Sequence, residues 1–144
     1  MHTRILFAVA ACTALAGCSK AEPVNITENG VLEDGDSVLE DDNSLYDEYT
    51  FSAAAGMELV VEMTSDEFDT FLLITGPGGF QEQNDDFDAM EGTDSKIEVT
   101  LEAGGQYTVL ANAYAAPECE DEGEAQVCTN MGAYTLSIVT TAGE

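Results

Sequence analysis

The chain has 144 residues, 29 of them Asp or Glu against three Lys or Arg, for a formal net charge of −26 at pH 7. A surface of that sign repels the phosphates of nucleic acids and the headgroups of anionic lipids, so nucleic acid is not a partner and a membrane is not one through the protein face itself. The one histidine is His2 and tryptophan is absent, which excludes histidine general bases, Ser-His-Asp and Cys-His nucleophile pairs, and the usual zinc or iron sites from the body of the chain.

At the start, Arg4 supplies a positive n-region, Ile5 to Leu15 an apolar h-region, and Leu15-Ala16-Gly17-Cys18 resembles a bacterial lipobox. The apolar run is too short for a membrane span. The pattern predicts a signal peptide over 1–17 and lipid on Cys18, the alternative being an ordinary signal peptide cut elsewhere. Cleavage removes Arg4 and takes the formal charge from −26 to −27. Cys12 leaves with the signal peptide and Cys18 is used by lipid, so Cys119 and Cys128 remain; an even pair in an exported chain predicts a disulfide, with two free thiols as the alternative. Residues 18–29 are polar, carry Pro23 and have no periodicity, which reads as a tether of up to about 35 Å between the lipid and a domain over 30–144.

Within that domain, Gly30-Val31-Leu32 and Val38-Leu39, separated by the acidic turn Glu33-Asp34-Gly35-Asp36, suggest two edge strands. Tyr49 and Phe51 alternate with polar neighbours, and Met57, Leu59, Val61 and Met63 alternate with Glu58, Val60 and Glu62 in a clean period of two. Phe71-Leu72-Leu73-Ile74 is apolar on both faces, so a central place or a covering loop is expected. Gly76-Pro77-Gly78-Gly79 reverses the chain. A short strand near Phe80 to Glu82, the acidic loop from Asn84 to Asp94, and further period-two runs at Ile97 to Leu101, Tyr107 to Ala113 and Tyr134 to Val139 follow. The long insertion from Ala115 to Asn130 reads as irregular and holds both remaining cysteines. No convincing helix follows Cys18, and about eight short strands at roughly ten-residue spacing are the signature of an all-β, antiparallel β-sandwich.

In order and spacing, Tyr46-Asp47-Glu48-Tyr49-Thr50-Phe51, Ala55-Gly56-Met57, Thr64-Ser65 with Phe68-Asp69-Thr70-Phe71-Leu72, Gly76-Pro77-Gly78-Gly79, Asn84-Asp85-Asp86, Asp94-Ser95, Ala103-Gly104-Gly105-Gln106-Tyr107 and Gly132-Ala133-Tyr134-Thr135-Leu136 resemble the bacterial pre-peptidase C-terminal domain. The resemblance covers about Gly30 to Thr140. It implies a sandwich of jelly-roll type, a place beside secreted peptidases, and, as in some relatives, binding of calcium or of an extracellular polymer such as collagen. The chain contains no peptidase sequence of its own, so the family's usual context does not carry over directly.

Calcium is the one cofactor the residues favour, because hard cations take carboxylate and amide oxygens on loops. Asn84, Asp86 and Asp88 alternate so that three side chains can face one point, and Asp69 and Asp85 complete the candidate set. The EF-hand template fails at Ala89 and Ser95. The competing reading is that Asp69 and Asn84 bond backbone N–H groups in their turns while Asp85, Asp86 and Asp88 form a solvated face. For catalysis only a glycosidase-like carboxylate pair is left, and with 29 acids some pair is inevitable and carries no information. The chain therefore reads as non-enzymatic, a lipid-anchored accessory module of the outer membrane or cell surface, on either face of that membrane. Its expected ligand is a protein, such as a secreted peptidase, or an extracellular polymer. A second reading is an acidic coat or adhesion protein rigidified by divalent cations.

Overall fold

The computed structural model describes residues 21–85 and 92–143, and within them period two governs the fold. The strands are β1 (Asn25–Leu32), β2 (Ser37–Val38), β3 (Leu45–Ala53), β4 (Glu58–Thr64), β5 (Thr70–Thr75), β6 (Gln81–Asn84), β7 (Ser95–Thr100), β8 (Gly105–Ala113), β9 (Glu118–Glu122), β10 (Ala125–Thr129) and β11 (Gly132–Thr141), with a single 3-10 turn at Pro77–Gly79. One sheet runs β1-β11-β4-β7 and the other β2-β3-β8-β5-β6, every pairing antiparallel. Set face to face, β1-β11-β4-β7 and β3-β8-β5-β6 have the interleaved order of an eight-stranded jelly roll, the expected architecture. Strand β2 is an addition at one edge, and β9 with β10 forms a separate hairpin inserted before the last strand.

The alternating apolar residues make the two inner faces. Leu59, Val61 and Met63 of β4 and Leu136 and Ile138 of β11 are buried against Tyr49 and Phe51 of β3, Val109 of β8 and Leu72 and Ile74 of β5. Two glycines are dictated by close approach. At Gly30 a Cβ would lie inside the ring of Tyr134, its partner across β1 and β11, and at Gly76 it would lie inside the ring of Tyr107. The Gly-Pro-Gly-Gly reversal thus packs onto Tyr107, which also meets Phe80 edge-on at 5.5 Å and stacks on Phe51 at 5.7 Å.

Two expectations are corrected, and a third is met. The tether is shorter than 18–29, because residues 25–29 already belong to β1 and pair with β11 from Asn25↔Val139 onward; as an edge strand with one wet face, this stretch needs few apolar residues. The segment from Ala115 to Asn130 is not irregular, since most of it is the β9–β10 hairpin. Strand β5 is an interior strand of its sheet, between β8 and β6, in keeping with its apolar residues on both faces. It lies one strand in from the β6 edge, and Phe71 and Leu73, on the outer face, are half-buried beside Asn112 and Leu110 of β8.

A buried polar bridge joins the sheets. Asp47 of β3 is 4% exposed, and Tyr134 of β11 donates its hydroxyl proton to Asp47 Oδ2 at 2.5 Å while its oxygen lies 2.6 Å from the hydroxyl of Tyr49. Burial pushes the Tyr134 hydroxyl well above the usual tyrosine range, and its bonds to Asp47 and Tyr49 push it the same way. Replacing Tyr134 by Phe takes this donor from a buried carboxylate and should cost about 1–3 kcal/mol, read as a lower Tm. The alkaline limb follows from linkage. An unfolded tyrosine loses its proton near pH 10 whereas folded Tyr134 keeps it, so stability falls as pH rises above about 10. Urea unfolding at about pH 9 and about pH 11 should therefore give a smaller loss for Tyr134→Phe than for the parent chain.

Candidate functional site

Hairpin β9–β10 forms a two-stranded sheet of its own, separate from both sheets of the sandwich. All of β9 and all of β10 except the half-buried Cys128 are exposed. The reversal is the dipeptide Gly123-Glu124, with Gly123 at φ 72°, a conformation that favours glycine in a two-residue hairpin turn. About that turn Cys119 and Cys128 stand directly opposite, with Cα atoms 4.1 Å apart, and are joined by a disulfide. At the base, Asn130 donates its side-chain N–H to Ala116 O at 2.9 Å. Alternation puts Glu118, Glu120 and Glu122 on one face of β9, each about 7 Å from the next. Opposite them in register are Thr129, Val127 and Ala125. Val127 is 50% exposed, so this face carries one apolar contact point among carboxylates, and neither strand contains a lysine or arginine.

The chain leaves the hairpin beside a groove of about 440 Å³ on the outer face of the β1-β11-β4-β7 sheet. Strand β4 ends at Thr64 while β11 continues back to Gly132, so Ala133 has no strand partner on that side. Side chains of the following loop take the strand's place. Ser65 Oγ donates to Ala133 O at 2.8 Å, and the carboxylate of Glu67 accepts from Ala133 N–H. Ser65 N–H in turn donates to Asp94 Oδ1 at 3.1 Å. Asp66, Glu67 and Asp94 therefore rim a floor made by Thr64, Ala133 and Thr135.

The expected calcium set is not brought together by the described residues. Asp86 and Asp88 lie outside them, as does Cys18. Asn84 Oδ1 accepts from Lys96 N–H at 3.2 Å, and the carbonyl of Asp85 accepts from Ser95 Oγ at 2.5 Å. The carbonyl of Asp69, at the entry to β5, accepts from Tyr114 N–H at 2.9 Å. These bonds fasten the neck of the acidic loop to β7 and β8, and among the described residues no three His, Cys, Asp or Glu side chains gather as a metal cage.

Neither surface was assigned from the sequence. For the hairpin a usable signal existed, since Cys119 and Cys128 lie at equal distances from Gly123-Glu124; the acidic, Val-poor flanks hid it. For the groove, Ser65, Asp94 and Ala133 were visible only as parts of motifs.

No known family profile matches the sequence, and no curated protein does. The fold has solved counterparts. PliG of Aeromonas hydrophila, a periplasmic lysozyme inhibitor of g-type lysozyme, superposes with a TM-score of 0.50 at 13% identity, covering 90% of this chain and 93% of that one. The pre-peptidase C-terminal domain of a collagenase from Bacillus anthracis does so with a TM-score of 0.50 at 17% identity, covering 80% and 89%. Likeness at such identities is likeness of fold, and the sandwich shares its fold with a pre-peptidase C-terminal domain, as the motif order leads one to expect.

Because the hairpin shares almost no side-chain packing with the sandwich, its disulfide should stabilise it locally. Closing a loop of this size is worth roughly 2–3 kcal/mol in the chain-entropy model. Reduction should leave the Tm of the sandwich within about 2 °C and open the segment 118–129 to proteolysis, as followed by mass mapping of limited digests.

Proposed function

We propose that the chain is a non-catalytic, extracytoplasmic binding module that captures a basic protein on the acidic face of hairpin β9–β10. The observation carrying this reading is the hairpin itself, an exposed, disulfide-pinned finger with Glu118, Glu120 and Glu122 in a row around Val127. A disulfide in that position suits an oxidising compartment. Three carboxylates on one strand face with no cation beside them repel one another, and a cationic partner removes that penalty on docking. The overall charge of −26 draws such a partner in from a distance. The cross-link limits the ordering cost that a flexible loop would incur on binding. The fold shared with a g-type lysozyme inhibitor makes that enzyme the first partner to try. Lipid on Cys18 would hold the module to the outer membrane, with residues 19–24 as its leash.

Binding to a g-type lysozyme, read by biolayer interferometry, should weaken steeply between about 20 and about 200 mM salt. Glu118→Lys with Glu120→Lys and Glu122→Lys should weaken it by more than about tenfold. Charge-matched changes in the turns around β2, Glu33→Lys with Asp34→Lys and Glu40→Lys, should cost much less. Equal losses from the two triple variants would mean that only the general field attracts the partner and that the hairpin is not the site; absence of binding to this and other basic proteins would overturn the reading altogether. The anchor is checked separately, by the mass of the N-terminal peptide, which should be that of acylated Cys18.

A further inference from the structure

We infer that β1 is a docking edge, on which an extended, positively charged segment of the partner adds as a further strand with a basic side chain directed toward the Asp66–Glu67–Asp94 groove. Thr140 N–H donates to Val24 O at 2.8 Å, which makes this a hydrogen-bonded pair of the β1–β11 ladder. Alternation along the register then turns the N–H and C=O groups of Asn25, Thr27, Asn29 and Val31 away from β11. β1 is the end strand of its sheet, and among the described residues no strand pairs with that side.

Exposed edges are normally short, charged, bulged or interrupted by proline. The other three conform. β2 has two residues and β6 four, and β7 carries Lys96 and Glu98 on its outer face, with Lys96 Nζ 3.1 Å from both Glu62 and Glu98. β1 has eight residues, no proline and one charge, Glu28, which lies on the half-buried face, while the four residues whose backbone groups point outward are Asn, Thr, Asn and Val. An unprotected edge of this length fits strand addition, in which main-chain bonds supply affinity and neighbouring pockets supply specificity.

The groove sets the sign of the occupant's charge. It begins at Asn29 and Val31 and extends across Ala133 and Thr135 to Asp66, Glu67 and Asp94. An added strand would lie one strand spacing beyond β1, which puts the groove centre about 10 Å away, two spacings, toward which lysine or arginine can extend across the small side chains of the floor. Both ion pairs of the described residues end on Lys96, on the opposite edge of the sheet, so no lysine or arginine of the described chain pairs with these carboxylates. A second copy of this chain would bring a net charge of −26 against the same rim. The inference deepens the function proposed above by stating how part of a basic partner is held, and it is tested without the hairpin so that the two fail separately.

The probe is a fluorescent peptide of about ten residues alternating Lys and Thr, long enough to cover the edge, titrated against the full chain in detergent and read by anisotropy. A second peptide carries the same charges but is N-methylated at every other residue, so that it cannot pair along one edge. The expected result is binding of the first peptide and a loss of about tenfold or more for the second. Thr27→Pro removes an outward-facing donor without touching the β11 ladder and should weaken the first peptide similarly, and Asp66→Asn should weaken it by a smaller factor. Equal affinity for the two peptides would reduce the effect to charge attraction and overturn the inference. So would failure of the first peptide to bind, including the case in which the chain instead dimerises in a Thr27-dependent way, which would make a second copy the occupant. Should Thr27→Pro fail to fold, the two peptides on the unaltered chain decide.

Discussion

An excess of carboxylates over cations is the constraint on which the rest of this molecule depends. Among the described residues the ion pairs are those of Lys96 with Glu62 and Glu98. Buried Asp47 and several acids at the surface therefore take neutral donors. Asp47 uses the Tyr134 hydroxyl, Glu67 the N–H of Ala133, Asp94 the N–H of Ser65, Asp36 the N–H of Glu33 and Asp42 the N–H and hydroxyl of Ser44. For Asp47 such a donor offsets much of the cost of leaving water without a partner charge that this composition does not supply, whereas the acids at the surface use theirs to fix nearby backbone. The acids thus close turns, extend a ladder past the end of β4 and tie one sheet to the other. Those not used in this way are left on the surface, where they define the molecule's field.

The strongest signals in the sequence were those with a two-residue period and a turn at each end. Leu59, Val61 and Met63 are buried as their alternation requires, and so are Tyr107, Val109 and Ala111. Gly76-Pro77-Gly78-Gly79 is a reversal, although the reason for Gly76, the ring of Tyr107 lying where a Cβ would be, is a tertiary fact that no local pattern contains. What could not be read were strands whose identity depends on partners. Asn25 to Asn29 has no alternation because β11 supplies the pairing and the other side is open. Glu118 to Glu122 is a poor strand former by composition and becomes one because a turn and a cross-link hold it to β10. The apolar pair Phe71 and Leu73 argued for an interior strand, and β5 lies between β8 and β6 with these two residues half-buried on the outer face.

The candidate surfaces were harder to read than the fold for a related reason. In a chain so rich in Asp and Glu, an acidic cluster distinguishes nothing, and only geometry separates Glu120, in register with an exposed valine on a pinned hairpin, from Glu33 in a solvated turn. The three features that geometry does separate are neighbours by topology. Strand β11 begins at Gly132, directly after the hairpin; Gly132 pairs with Leu32 at the end of β1; and Ala133 forms the floor of the groove. The hairpin base, the end of the open edge and the carboxylate rim therefore meet at one end of the sandwich.

An open edge of eight residues is ordinarily a liability, because two copies can pair along it. Here the protection is global instead of local. Two chains of charge −26 approaching edge to edge repel over distances comparable to the Debye length, about 8 Å at physiological ionic strength, so like chains are held off before their backbones meet. The same field accelerates the approach of an oppositely charged segment. Lysine or proline within β1, the usual local guards, would have blocked both kinds of encounter. Carrying the guard as net charge blocks one and favours the other, so the composition that made the sequence uninformative about individual acids also makes an edge with uncharged outward-facing residues selective.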